Sequence, residues 1–407
     1  MEKLLNIKYG CIHGTYWMYF GISASFASAF LLAKGYSNAE IGLILAVGNI
    51  LAVFLQPLIA DLADRSKKLS LIGVTQLSGM LLMVLTLLLF ILQRKSAALW
   101  VVYVLIMAWM TTLQPLFNSL AFKLEETGVH INFGACRSVG SFAYAVICAC
   151  LGTLVEAKGV NVLPVSGEIV LTMLLLSLFI TKKQFDKMIS EGGPAQAEVL
   201  PADGAAEKDE SIDLILFARR NKLFLVLNLA VAGVFFSNSV LNSFMLQIVE
   251  GVGGTSEDMG RILSVMAFLE IPALLFFDKI EGRFSCQTIL KFAAICFTVK
   301  IFLIYIARSV TMIYNAHIFQ TFSFGLFLPA MVSFINQVMA KGEAVKGQAV
   351  YTVTTTVSSV LASVLGGIML DASGPSFMLL VSTIATAAGA LLVMLIVDRI
   401  GVSKNVE

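Results

Sequence analysis

The sequence predicts an all-α membrane protein in which twelve transmembrane helices form two pseudo-symmetric bundles of six. Three observations support this fold class: the composition, a series of apolar stretches, and an internal repeat. Of the 407 residues, 58% are hydrophobic and 13% are charged, and the mean hydropathy is +0.88. Soluble domains are about 45–50% apolar and about 25% charged. The composition therefore excludes a water-soluble fold.

Apolar stretches long enough to cross a bilayer follow one another along the whole chain. A transmembrane helix needs about 20 mostly apolar residues, and charged or turn-rich segments separate the candidates. The predicted spans are 11–33, 40–62, 70–92, 98–122, 135–155, 163–181, 222–249, 258–278, 287–307, 310–338, 346–370 and 375–397.

The lysines and arginines predict the orientation. If both termini are cytoplasmic, twenty of the 28 basic residues lie on the cytoplasmic side, six lie outside and two lie within spans, as the positive-inside rule requires. We therefore expect a multi-pass protein of the bacterial inner membrane. Residues 182–221 form the one long polar stretch and are interpreted as a largely disordered cytoplasmic linker. This linker separates an N-terminal bundle (1–181) from a C-terminal bundle (222–407).

A repeat relates the two halves at an offset of 213 to 215 residues. Pro57 precedes Asp64 and Arg65 after the second span, and Pro272 precedes Asp278 and Lys279 after the eighth. Such a repeat is typical of transporters built from two similar halves. Asp64, Arg65, Asp278 and Lys279 are predicted to pin neighbouring helix ends and so to gate the cytoplasmic side. The alternative is that they are ordinary positive-inside charges.

Several classes of function are disfavoured. A formal net charge of +2 provides no basic face for nucleic acid. The six cysteines show no metal-ligand spacing, and no nucleophile with a base or phosphate-binding loop is present. We therefore expect no enzyme, no metal and no cofactor.

Charged and imidazole side chains inside spans are costly and mark functional sites. Arg137, Glu270, Lys300 and His317 are the candidates. Glu270 can be neutral or anionic, so we predict that it carries the coupling proton with Lys300 or His317 as its partner. The alternatives are a permanently paired structural carboxylate, an Arg137 that snorkels to the interface, and a buried structural histidine.

Aromatic and amide residues are predicted to bind a polar, uncharged substrate. Rings can stack on a sugar or base, and amides can hydrogen-bond its edges. The candidates for substrate binding are Tyr16, Trp17, Asn118, Asn238, Asn242 and Gln320, together with Arg137. Anchoring at the lipid interface is the alternative for the tyrosine and tryptophan.

Short motifs resemble the major facilitator superfamily over the whole chain. "FLQPLIADLADR" (54–65), "NFGACRSVGS" (132–141) and "CFTVKIFLIY" (296–305) are similar to segments of its lactose permease branch. "LEIP" (269–272) and "HIFQTFSFG" (317–325) are more similar to its phenylpropionate and nucleoside permease relatives.

The resemblance implies roles for several residues, and at some positions this sequence departs from the branch. Arg137 resembles the sugar-binding arginine of that branch, and Lys300 falls where the branch has an arginine. His317 and Gln320 occupy the positions of a lysine and a histidine. Ser323 replaces the proton-carrying glutamate, so the proton would have to be carried elsewhere. The branch has a glutamate on its fourth helix, and the corresponding place here, near Asn118–Leu120, has none, which weakens any claim to galactoside specificity.

The sequence therefore predicts a secondary active transporter that moves a small polar solute together with a proton by alternating access. A sugar is the first candidate, and we expect the transporter to act as a monomer. The alternatives are a proton antiporter that exports drugs or metabolites, an importer of nucleosides or aromatic acids, and a facilitator without a coupling ion.

Overall fold

The computed structural model describes residues 2–65, 70–125, 128–190, 214–339 and 343–400, and these residues form helices without strands. Within these ranges, ten helices are long and apolar enough to cross a membrane, and a bent pair near the N-terminus makes an eleventh. The last helix, Ala344–Ile400, has 57 residues and a break at Gly374, whose φ is 74°. Unbroken, it would be roughly 85 Å long, so the break divides it into two spans. The predicted all-α membrane fold is confirmed.

The observed helices fall into the order that hydropathy predicts, and they are numbered here as spans 1 to 12. They are span 1 (Glu2–Phe20, the π-helical turn Gly21–Ser25, and Ala27–Ala33), span 2 (Asn38–Arg65), span 3 (Leu71–Ile91), span 4 (Ala97–Glu125), span 5 (Phe133–Lys158), span 6 (Val162–Ser190), span 7 (Lys222–Glu250), span 8 (Ser256–Glu281), span 9 (Cys286–Tyr305), span 10 (Val310–Ala316, the 3₁₀ turn His317–Gln320, and Phe324–Val338), and spans 11 and 12 on either side of Gly374.

The stretch between the halves is more helical at its edges than its composition predicts. Span 6 continues to Ser190, beyond the predicted end at 181, and a short helix, Leu214–Arg220, precedes span 7. The predicted linker residues 191–213 lie outside the described residues, as do the side chains of Asp64 and Arg65. The domain boundaries at 181 and 222 therefore stay predictions.

Glycines bring the two halves into backbone contact at one end of the bundle, called the closed end below. A Cβ added to Gly42 on span 2 would lie 2.0 Å from the carbonyl oxygen of Ser363 on span 11. A Cβ added to Gly260 on span 8 would lie 2.4 Å from the carbonyl oxygen of Cys148 on span 5. Real Cβ atoms do not approach so closely, so only glycine permits these two crossings.

Two carboxylates strengthen the same end. Asp371 accepts hydrogen bonds from the backbone nitrogens of Asn38 and Ala39 at the start of span 2, at 3.1 and 2.8 Å. Glu156, which lies 215 positions earlier, accepts from the backbone nitrogen of Ser256 at the start of span 8, at 3.1 Å. An anion at a helix N-terminus satisfies free N–H groups and the helix dipole. Each half thus caps a helix of the other half.

Candidate functional site

A cavity of about 460 Å³ lies between the two halves. Its size falls within the range of about 300–1,000 Å³ that is typical of small-molecule sites. Both halves contribute polar side chains, and most of these are uncharged. They are Ser25, Asn49, Thr111, Gln114, Arg137, Ser141 and Tyr144 from the first half, and Ser239, Asn242, Ser243, Glu270, Ser359 and Ser363 from the second.

Arg137 provides the charge on the N-terminal wall. Its guanidinium carbon lies 4.0 Å from the ring centroid of Trp17, and its Nη1 donates to the hydroxyl of Ser141 at 3.0 Å. Stacking on an aromatic face and one hydrogen bond fix the plane of the guanidinium. Its other N–H donors make no hydrogen bond within the described residues and are available to a ligand in the cavity. Trp17 lines the cavity too, but its ring supports the arginine.

Gly140 explains why Trp17 can take this position. A Cβ added to Gly140 on span 5 would lie 2.5 Å from Cδ1 of Trp17, so a larger residue would push the indole away. The neighbouring Tyr16 is 1% exposed and donates its hydroxyl to the carbonyl of Met110 at 3.2 Å. Tyr16 therefore packs between spans 1 and 4 and does not line the cavity.

Glu270 provides the charge on the C-terminal wall, where span 8 faces Arg137. Its Oε1 accepts a hydrogen bond from Nε2 of Gln320 at 2.7 Å. The amide oxygen of Gln320 accepts in turn from Nζ of Lys300 at 2.8 Å. Lys300 and Gln320 are both 0% exposed. The buried lysine therefore reaches the cavity carboxylate through an amide, and the two charges make no direct ion pair.

His317 lies close to this chain of hydrogen bonds but outside it. Its side chain is 0% exposed, and its Nδ1 lies 2.7 Å from the carbonyl oxygen of Ile313. Nε2 is buried and has no hydrogen-bond partner among the described residues. The 3₁₀ turn His317–Gln320 places residues 317 and 320 one above the other. His317 and Gln320 therefore lie on the same face of the turn, although only Gln320 reaches Glu270.

The other predicted residues are distributed between the cavity, the protein interior and the surface. Asn242 lines the cavity, whereas Asn118 and Asn238 do not. Asn238 is 5% exposed, and its Oδ1 has no partner within the described ranges. Asp278 and Lys279 are exposed at the end of span 8, where Nζ of Lys279 lies 5.3 Å from the Phe276 ring. No ion pair joins the two within the described chain.

The sequence interpretation overlooked two groups of residues. The first group is the uncharged hydroxyl and amide side chains that line the cavity, such as Asn49, Thr111 and Ser141. Burying them in a membrane costs less than burying a charge, so the sequence alone does not distinguish them from packing residues. Glu168 lies inside span 6, and its buried Oε1 has no hydrogen-bond partner in the described chain. Because a charge inside a span is costly, the sequence alone could have identified Glu168 as a candidate. Glu168 does not line the cavity.

Comparisons with known proteins agree with a transporter fold. The family model of the MFS_1 like family matches residues 9–381. A maltose permease of Geobacillus stearothermophilus is 25% identical over 391 residues, which cover 94% of this chain and 93% of that protein. The nucleoside transporter NupG superposes with a TM-score of 0.74 at 14% identity, covering 97% of this chain and 98% of NupG. The POT family transporter PepTSo gives a TM-score of 0.70 at 11% identity, covering 100% and 98%. The family match over residues 9–381 confirms the expectation that the chain is not an enzyme.

Proposed function

Because the chain belongs to the MFS_1 like family of major facilitator transporters, we propose that it is a proton-coupled symporter of a small, neutral, polar solute, with a sugar as the favoured substrate. The observation that carries this proposal is the placement of Arg137 and Glu270 on opposite walls of one cavity. One charge comes from each half of the protein. A substrate held between them would therefore link the movement of one half to the other.

The substrate class is inferred from the chemistry of the lining. Hydroxyl and amide groups can exchange hydrogen bonds with sugar hydroxyls, and an arginine fork can bind two adjacent hydroxyls. While Glu270 is ionised, a substrate with a net charge would be opposed by a like charge on Arg137 or on Glu270. The name of the maltose permease relative adds support for a sugar.

Proton coupling is proposed for Glu270. A carboxyl group that lines the cavity can release its proton when the site is exposed to one side and recover it on the other. Protonation would favour substrate loading, because the neutral acid can donate a hydrogen bond to a substrate hydroxyl. Release of both on the inner side would then reset the cycle. Across a bacterial inner membrane the proton gradient is directed inwards, so symport with the proton makes this cycle an import cycle.

The experiment is a two-stage assay on the purified chain. Thermal-shift screening of sugars, nucleosides and aromatic acids at several pH values first identifies a ligand. Proteoliposomes with an alkaline interior then take up that ligand in labelled form, with and without a protonophore. The proposal expects a sugar hit and accumulation that the protonophore abolishes.

Other results would select the competing hypotheses. Preferential stabilisation by nucleosides or by aromatic acids would replace the sugar with that substrate class. Accumulation only with the opposite pH gradient would indicate a proton antiporter that exports its substrate. Equilibration without accumulation would indicate a facilitator.

A further inference from the structure

Gln320 occupies an unusual position between two opposite charges within the membrane. Its amide lies between the ammonium of Lys300, at 2.8 Å, and Oε1 of Glu270, at 2.7 Å. It is 0% exposed, so water does not compete for either hydrogen bond.

The chemistry of the three groups fixes the direction of these bonds. An ammonium group can only donate, and an ionised carboxylate can only accept, whereas an amide carries one acceptor end and one donor end. Lys300 therefore holds the oxygen of the Gln320 amide, and the NH₂ group must point at Glu270. A proton on Oε1 of Glu270 would compete with that NH₂ group for the lone pairs of Oε1 and weaken the bond.

This geometry has a consequence for the other oxygen of Glu270. Resting on the proposed function, we propose that Gln320 is a positioning residue that keeps the coupling proton off Oε1 of Glu270 and assigns it to Oε2. Oε2 makes no hydrogen bond within the described chain, and Glu270 lines the cavity. The proton and the substrate would then meet at one atom. This arrangement is what obligatory coupling of their binding requires.

The fold holds Gln320 in place from three sides. The 3₁₀ turn His317–Gln320 interrupts span 10 at this point. The hydroxyl of Thr321 donates to the carbonyl of Leu269 on span 8 at 2.6 Å. A Cβ added to Gly325 would lie 2.8 Å from the Cβ of Ala273, so glycine allows spans 8 and 10 to approach closely.

Charged and titratable groups from several spans surround Glu270. Span 5 contributes Arg137 and the phenol of Tyr144, and span 9 contributes Lys300. Span 10 contributes His317, which lies next to Lys300. Span 7 lines the same cavity with uncharged side chains, including Asn242. A test must therefore change Gln320 while it leaves these charges intact.

The experiment follows the proton on Glu270 directly and needs no substrate. The full chain in lipid vesicles is titrated from acid to alkaline pH, and infrared difference spectra record the C=O band of the protonated carboxyl group. The Glu270 band is identified by its loss in Glu270→Gln. Gln320→Met keeps the length of the side chain without its amide, and Gln320→Leu serves as a second variant if the first does not fold. Thr321→Val is the matched control, because it removes a hydrogen bond between the same two spans without touching the carboxylate.

We expect the midpoint of this titration to move up by about one pH unit in Gln320→Met, a tenfold gain in proton affinity, because the carboxylate loses a donor. Thr321→Val should retain the wild-type midpoint. An unchanged midpoint, an equal shift in Thr321→Val, or a downward shift caused by direct pairing with Lys300 would overturn the inference. If the midpoint shifts in Gln320→Met but the wild-type protein does not accumulate substrate, only the proposed function is contradicted.

Discussion

Replacement of Asp371 by alanine should loosen the closed end of the bundle. Its carboxylate accepts hydrogen bonds from the backbone nitrogens of Asn38 and Ala39 and from Nδ2 of Asn38, at 3.1, 2.8 and 2.8 Å. All three bonds join the two halves of the protein. Since Asp371 is exposed, the contribution of this cap is roughly 1–2 kcal/mol, at the lower end for charged hydrogen bonds and helix caps. Its loss should change the ratio of closed to open molecules by about 5- to 30-fold.

Distances between spin labels across the closed end would measure this change. Arg94 and Arg308 are exposed and belong to different halves, so cysteines at these positions can carry the labels after the native cysteines are replaced. Asp371→Ala should add a population at longer distance, and Asp371→Asn should have a smaller effect.

Asp258 provides the matched control for this experiment. Its carboxylate caps the start of span 8 by accepting from the backbone nitrogen of Thr255 at 3.0 Å, within one half. Asp258→Ala should therefore weaken a helix cap without opening the closed end. Identical distance distributions for wild type and Asp371→Ala, or equal broadening in Asp258→Ala, would refute the reasoning.

Three further substitutions test other parts of the structure. Gly42→Val should separate spans 2 and 11 and lengthen the same label distance, whereas Gly134→Ala, whose Cβ would meet no atom closer than 3.9 Å, should not; equal distances in both would contradict the packing account. Arg137→Lys should lower substrate affinity at least tenfold, measured as Kd by calorimetry, because lysine lacks the paired N–H donors of the guanidinium. An unchanged Kd would show that Arg137 does not bind the substrate. Lys34→Met should destabilise the protein by about 1–3 kcal/mol and lower its Tm, because Nζ of Lys34 donates hydrogen bonds to two side-chain amide oxygens. An unchanged Tm would contradict this prediction.

The fold could be predicted from the sequence because burial in lipid demands long apolar stretches and makes charges inside them rare. The same rule found Arg137 and Glu270, which line the cavity. It could not separate Trp17 from Tyr16, because adjacent residues on a helix point about 100° apart and either could have faced the cavity.

The hydrogen-bonded chain from Lys300 to Glu270 was harder to predict, because it depends on local geometry. Its amide link requires a 3₁₀ turn in span 10 and the close approach of spans 8 and 10 at Gly325, neither of which hydropathy encodes. The caps at the closed end were missed for a related reason. Asp371 and Glu156 lie at span ends, where acids are common, and their partners are distant in sequence.

The most direct test of the account is uphill transport by Glu270→Gln in proteoliposomes with an imposed pH gradient. The central claim is that Glu270 couples the proton to the substrate. Glu168→Gln is the control, since Glu168 is also an acid within a span but lies outside the cavity. We predict that Glu270→Gln abolishes accumulation while exchange of labelled for unlabelled substrate continues, and that Glu168→Gln accumulates substrate as the wild type does. Accumulation by Glu270→Gln at the wild-type level would contradict the account.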